Sequence, residues 1–235
     1  MKILGLIPAR SGSKGLKFKN IKKMNNKNLL EYSIKAAQES KKIDKIIVTT
    51  DSNKFRKIAE KAGAEVPFLR PKKISLSESN AIEYIKHTLN FLEEKQQYVP
   101  DIIIILQPTS PVRSKYMINK SISLLQKSKG TSVVTVSKIK THHYGAFVLK
   151  NKFLKHYKED YKKFYQRQKF PDMYYPTGSI YTFWNNTFNK KNSTLGNKII
   201  PLISQPEFST DIDNLFDFFV CEMTLKYWEK YKKNQ

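Results

Sequence analysis

Cysteine is almost missing from this chain: Cys221 is the single one in 235 residues. One cysteine cannot close an internal disulfide, so the fold must rest on its core. The expected setting is a reducing one, the cytoplasm. Long apolar runs are missing as well. The longest, Ile102–Leu106, falls far short of the roughly 20 residues that cross a bilayer, so no membrane partner is expected. Lys2 is followed by a short apolar stretch that soon enters a charged loop, which is not the pattern of a secretory signal. Acidic residues are scarce, 20 against 43 Lys plus Arg, giving a formal net charge of +23. Such a charge admits weak attraction to polyanions, and nucleic-acid binding stands as a minor alternative. The excess is lysine spread through every segment, which argues against a dedicated patch. Only Arg10, Arg56, Arg70, Arg113 and Arg167 are arginines. All but Arg56 stand at turn-like or strand boundaries, where a planar bidentate donor has a use that lysine does not serve.

What the chain does have begins at its N-terminus. The apolar run Lys2-Ile3-Leu4-Gly5-Leu6-Ile7 breaks at Pro8 and opens into Ala9-Arg10-Ser11-Gly12-Ser13-Lys14-Gly15, with Lys19 and Asn20 close behind. A strand ending in glycines, hydroxyls and cations suits an anion, because close backbone approach and consecutive N–H groups form a concave nest for phosphate oxygens. Arg10, Lys14 and Lys19 carry charge that a triphosphate needs. Neither a Walker A spacing nor a dinucleotide fingerprint is present. Taken alone, the loop reads equally well as a solvated turn.

Strand-like stretches near 2–8, 45–50, 65–69, 101–107 and 131–137 alternate with helical patterns near 28–40, 53–63, 79–95 and 114–128. Asn28 with Glu31 forms a capping-box signal, and Gly63 a helix stop. The alternation predicts an α/β fold, a mostly parallel sheet with helices on both faces. Ile102–Leu106, apolar throughout, reads as a central strand. Ligands of such sheets sit beyond the carboxyl ends of the strands. There the chain offers Arg10 and its loop, Thr50-Asp51-Ser52, Arg70-Pro71, and Gln107 to Arg113. Residues 138–175 interrupt the pattern with many aromatics and read as an arm making a subunit contact, or as a satellite core. The chain returns with Ser179–Phe183, Ile199–Ile203 and a closing helix at about 214–231. A single domain, 1–235, is expected.

Asp211-Ile212-Asp213 is the second informative motif. Residues i and i+2 of an extended segment share a face, so the two carboxylates can hold Mg²⁺ together with substrate phosphates. Alternatively Asp213 or Asn214 caps the last helix with Asp217 at N3. Asp51 is equally a ligand group or a helix cap. His142-His143 read as solvated loop residues, His87 as structural, and Cys221 as buried. No Ser/His/Asp or Cys/His arrangement is present.

The run Ile7 to Gly15 with Lys19-Asn20 resembles the signature of the CMP-sialic acid synthetase (acylneuraminate cytidylyltransferase) family. Thr49-Thr50-Asp51-Ser52, Ala64 to Pro71, Leu106 to Arg113, Gly178-Ser179-Ile180-Tyr181 and Asp211-Ile212-Asp213 match in the same order. The resemblance implies a nucleotide-diphospho-sugar transferase-like, Rossmann-like sheet, CTP and Mg²⁺, and a homodimer through the inserted arm. It implies transfer of CMP from CTP to the anomeric hydroxyl of a nine-carbon 2-keto acid sugar. By motif, Arg10, Ser13, Lys14 and Lys19, in a loop that includes Ser11 and Gly12, would hold the triphosphate, with Arg10 also acting in the chemistry. Asn20 and Arg70 would face cytosine. Gln107 would face the sugar, near Thr177 and Gly178, and Asp211 and Asp213 would hold Mg²⁺. Arg167 or a lysine of the arm would meet the sugar carboxylate. The family's usual Asn before the late glycine is Thr177 here, which leaves neuraminic, legionaminic and pseudaminic acids open and makes Kdo less expected. A nucleotidyltransferase using another base remains a competing reading.

Overall fold

The structure, a computed structural model, describes residues 1–13, 15–139, 145–157 and 171–233. The expectations for Lys14, His142, His143, Tyr144, Tyr161, Phe164, Tyr165 and Arg167 lie outside the described residues.

The first strand, β1 (Ile3–Pro8), is followed by a short antiparallel pair, β2 (Lys23–Met24) and β3 (Lys27–Asn28). Then come α1 (Leu29–Ser40), β4 (Lys45–Thr49), α2 (Asn53–Lys61), α3 (Ala81–Gln96), β5 (Ile102–Leu106), α4 (Lys115–Lys127) and β6 (Ser132–Lys138). The chain continues through a hairpin, β7 (Phe147–Lys150) and β8 (Phe153–His156). It finishes with β9 (Tyr174–Trp184), α5 (Asn185–Lys191), β10 (Ile199–Ile203) and α6 (Leu215–Lys233). Of the capping box, the Glu31 half forms, its carboxylate accepting the Asn28 N–H at 2.6 Å, and Gly63 closes α2 at φ +86°.

The main sheet has the order β10-β6-β9-β5-β1-β4. β1 pairs in parallel with β4 and β5, and β10 with β6. Both antiparallel pairings are made by β9, which inserts between β5 and β6. The side chains of β5 explain its apolar run. Ile102, Ile104 and Leu106 enter a core shared with Leu30 and Ile34 of α1 and Ile118 and Ile122 of α4. Ile103 and Ile105 enter the opposite core with Ile85, Leu89 and Leu92 of α3. A strand covered on both faces has no polar alternation to show.

The expectation of a strand at 65–69 is corrected. A single parallel bridge joins Glu65 to Ile47, and the ladder stops there. Pro67 lacks the N–H that the next rung requires. The segment still runs beside β4, and the Arg70 N–H donates to the Thr50 carbonyl at 2.7 Å.

Beyond its interior, the sheet continues into the arm. β6 and β9 stay paired out to Ser137–Tyr175 and Lys138–Tyr174, past a register shift between Val134 and Val136. The β7–β8 hairpin follows with an exposed face that includes Phe147, Leu149, Phe153 and Leu154. A satellite core would bury these side chains, and in the single chain they are open. Among the described residues no helix is long and apolar enough to cross a membrane.

Candidate active site

Four segments meet over the carboxyl ends of β1, β4 and β5. The loop after β1 is held from below by Asp51, whose carboxylate accepts the Ser11 N–H and the Ser11 hydroxyl, each at 2.7 Å. Asp51 is thus neither a cap nor a ligand group; Ser52 caps α2 by accepting the Phe55 N–H. The expectation for Ser11 changes accordingly. Both of its donors are committed to Asp51, so it supports the loop and leaves the anion to its neighbours. Within the loop the Arg10 guanidinium donates to the Gly12 carbonyl, and the buried Asn20 amide donates to the Arg10 carbonyl at 3.0 Å.

Arg70 is fixed from three directions. Its Nε donates to Thr49 Oγ1 at 3.2 Å, its Nη2 to the Thr49 carbonyl at 2.5 Å, and it stacks over the Tyr84 ring at 5.0 Å. Burial pulls the guanidinium below its ordinary pKa and pushes the Tyr84 hydroxyl above its own. Behind it the His87 ring meets the edge of Phe68, and burial followed by the Arg70 charge lowers the imidazole pKa, which fits a structural role.

The acidic pair is presented by its middle residue. Ile212 is fully buried beside Met24, Leu29, Val112, Phe218 and Cys221, so its extended neighbours turn both carboxylates outward. Cys221 is buried as expected, its thiol pushed up to about 12 by desolvation. The Ile212 N–H donates to the Thr109 carbonyl at 2.9 Å, tying the pair to the loop after β5. Asn214, not Asp213, caps α6: its side chain accepts the Asp217 N–H at 2.9 Å, while the Asp217 carboxylate accepts from Asn214 and Asp213. Asp213 is therefore available to a ligand, and its carboxylate lies 3.0 Å from Lys19 Nζ, which also donates to the Ile212 carbonyl. The Asp211 carboxyl is raised above the usual carboxylate range by desolvation in the cleft wall, with the Asp213 charge adding to the rise and Thr109 and Lys19 opposing it.

The result is an open cleft of about 440 Å³ lined by Arg10, Ser13, Lys19, Asn20, Arg70, Gln107, Asp211 and Asp213. Eight residues singled out from the sequence thus share one cavity. Tyr84, Ser79, Ala81 and Thr109 line it as well. Tyr84 carried no sequence signal, because a tyrosine in a helical pattern reads as core. Thr109 lay inside a motif without a role assigned to it.

Two glycines set the approach of these walls. Gly178 has φ +75°, and a Cβ there would stand 3.3 Å from Asp211 Oδ2. At Gly15 a Cβ would collide with the Asp213 carbonyl. Thr177, expected to meet the sugar, is buried with its hydroxyl bonded to Thr135 Oγ1 at 2.9 Å. It shapes the bulge between β6 and β9 that brings Gly178 to Asp211, and does not line the cleft. A second groove of about 300 Å³ between α1 and α6 gathers none of the anion-binding groups.

Among the described residues no group of three or more acidic, His or Cys side chains is arranged to hold a metal ion by itself. Two outward carboxylates on one extended face, beside a cleft with room for phosphate oxygens, fit a cation shared between protein and substrate.

The profile of the cytidylyltransferase family matches residues 4–197. An N-acylneuraminate cytidylyltransferase of Escherichia coli O18:K1:H7 is 35% identical over 219 residues, covering 92% of this chain and 50% of the relative. A CMP-N,N'-diacetyllegionaminic acid synthase of Campylobacter jejuni is 30% identical over 224 residues, covering 95% of this chain and 94% of that protein. The chain spans about half the length of the N-acylneuraminate cytidylyltransferases it matches. In architecture it is similar to a CMP:2-keto-3-deoxy-manno-octonic acid synthetase complexed with CTP, at TM-score 0.69 and 11% identity, over 96% of this chain and 99% of that one. That likeness concerns the fold alone. With its motifs in order and the family profile spanning most of its length, the chain belongs to the cytidylyltransferase family.

Proposed function

We propose that this chain activates a nine-carbon 2-keto acid sugar with CTP, giving the CMP-sugar and pyrophosphate. The observation that carries the reading is the single cleft in which the loop cations, the immobilised Arg70 and the outward acidic pair face one another. The anomeric hydroxyl attacks the α-phosphorus, the α–β phosphoanhydride bond breaks, and pyrophosphate and a proton leave. Such a transfer depends on positioning and charge neutralisation. Arg10, Ser13 and Lys19 would neutralise the phosphates, with Lys14 added from the same loop. Arg70, which cannot swing away, would read the base beside Asn20. Gln107 would orient the sugar, and Arg167 would meet its carboxylate. Mg²⁺, held by Asp211 and Asp213, would supply the polarisation of the α-phosphate. The reaction is assigned to the cytoplasm, where a lone buried thiol stays reduced.

An N-acylneuraminate is the first candidate acceptor, and a legionaminic acid is the second, favoured by the relative of matching length that is named for that product. Pyrophosphate release, measured with four nucleotides against neuraminic, legionaminic and pseudaminic acids, decides both questions. CTP is expected to exceed ATP, GTP and UTP at least tenfold, and chelator to abolish turnover. Equal rates with all four bases would overturn the base assignment, and full activity in chelator the metal assignment.

The exposed apolar face of β7–β8 and the open Tyr174 and Tyr175 at its root support a homodimer formed through the arm. Light scattering at micromolar concentration is expected to give twice the chain mass of 27.5 kDa. A monomer with full activity contradicts the dimer.

A further inference from the structure

The function above leaves Arg113 unused, although it is one of five arginines in a chain whose ordinary cation is lysine. It is buried, and among the described residues it forms no ion pair. All three of its nitrogens donate, each to a different segment. Nη2 donates to the Gln107 carbonyl at 2.5 Å, Nη1 to Ser33 Oγ on α1 at 2.9 Å, and Nε to Ser179 Oγ on β9 at 3.4 Å. A buried charge resting on neutral acceptors is costly and rare. Burial brings this guanidinium down to about 9, with the Asp211 charge opposing the fall, so it remains a cation at neutral pH.

The acceptors explain what such a cost could maintain. Gln107 begins the turn that its carbonyl closes with the Ser110 N–H at 3.2 Å. Thr109 of that turn accepts the Ile212 N–H at its carbonyl and turns its hydroxyl to Gln107 Oε1 at 3.5 Å. Ser179 follows Gly178, whose backbone lies against Asp211. Arg113 thus holds Gln107 directly and reaches Asp211 through Ser179 and its neighbour Gly178. The groups assigned to the nucleotide, Arg10, Asn20 and Arg70, are held instead by Gly12, the Arg10 carbonyl and Thr49.

We propose that Arg113 is a positioning residue for the acceptor side of the cleft, fixing the Gln107 turn and, through Ser179, the Asp211 segment, while leaving Arg10, Asn20 and Arg70 as they are held. This rests on the reading of Gln107 as facing the sugar, and the test separates the two. Arg113→Met, which keeps volume and removes charge and donors, is expected to lower kcat/KM for the acceptor acid about a hundredfold. Its CTP dissociation constant, measured by calorimetry without Mg²⁺ so that only Arg10, Asn20, Arg70 and the loop report, is expected to stay within twofold of the wild type. Arg113→Lys, retaining charge and part of the bonding, should recover a share of the loss. Equal losses in CTP affinity and acceptor kcat/KM would show a general structural strut and overturn the proposal, as would unchanged acceptor kinetics.

If Arg113→Met fails to fold, Ser179→Ala and Ser33→Ala decide. Each removes one acceptor, and each is expected to lower acceptor kcat/KM several-fold at unchanged CTP affinity; wild-type kinetics in both overturn the idea. Amide hydrogen exchange supplies a readout that needs no acceptor. Exchange at 107–113 and 211–213 should rise at least tenfold in these variants while β4 and α2 keep their protection. Unchanged exchange there overturns the tether, whereas a wild type that uses no acid of the panel contradicts only the proposed acceptor.

Discussion

Asp211→Asn and Asp213→Asn are each expected to lower turnover by about a hundredfold or more while leaving the melting temperature unchanged. An amide keeps the shape of the carboxylate but not its charge, so the variant isolates electrostatics from packing. Stability should survive because neither carboxylate anchors the fold. The anchor is Ile212, fully buried between them, and the cap of α6 is Asn214 with Asp217. Loss of the Lys19 contact adds little, since the Asp213 side chain is 79% exposed and such pairs are weak. Thermal melts beside pyrophosphate release check the claim. An early melt at Asp213 would return the residue to a structural role, and wild-type turnover in both variants would remove the pair from the chemistry.

The second large effect is expected at Gly15. A Cβ there runs into the Asp213 carbonyl, whereas a Cβ at Gly12 meets only Arg10 Nη1 at an ordinary 3.8 Å. Gly15→Ala must therefore push the anion loop away from the acidic segment, and Gly12→Ala need not. Phosphate cations and metal-binding carboxylates act on the same triphosphate, and displacements near 1 Å at such a site cost about a hundredfold. Gly15→Ala is expected to lose that much kcat, with a melting temperature close to wild type because Gly15 is exposed. Gly12→Ala is expected to stay within about threefold. Comparable losses in the two variants would show that general loop stiffening, and not this approach, is responsible.

The sequence carried the site further than the fold around it. Arg10 and Arg70 stood out because arginine is rare in this lysine-rich chain and each ends an apolar run, whereas Lys19 entered with the cations of the anion loop, Gln107 through the motifs of the family resemblance and the acidic pair through its i, i+2 spacing. Strand positions were legible where hydrophobicity was continuous, as at Ile102–Leu106. They failed at 65–69, where the apolar pattern was right but Pro67 stops the ladder. The insertion of β9 between β5 and β6 left no local trace, because pairing partners are chosen by packing between segments distant in the chain.

Amino-acid order alone determined which chemical groups exist and their local order: an anion loop after the first strand, two carboxylates flanking one isoleucine, an arginine before a proline. Local forces suffice for that, since strand alternation and turn chemistry act over a few residues. Tertiary structure decided what each polar group is committed to. Ser11 and Thr177 had the right chemistry for ligands, yet their hydrogen bonds are taken by Asp51 and Thr135. Asp213 was released for a ligand because Asn214 took the cap. A buried donor or acceptor must find a partner, and that partner is usually far away in sequence. Burial of Ile212 turned two aspartates outward, and Ser33, Gln107 and Ser179, from three separate segments, hold Arg113.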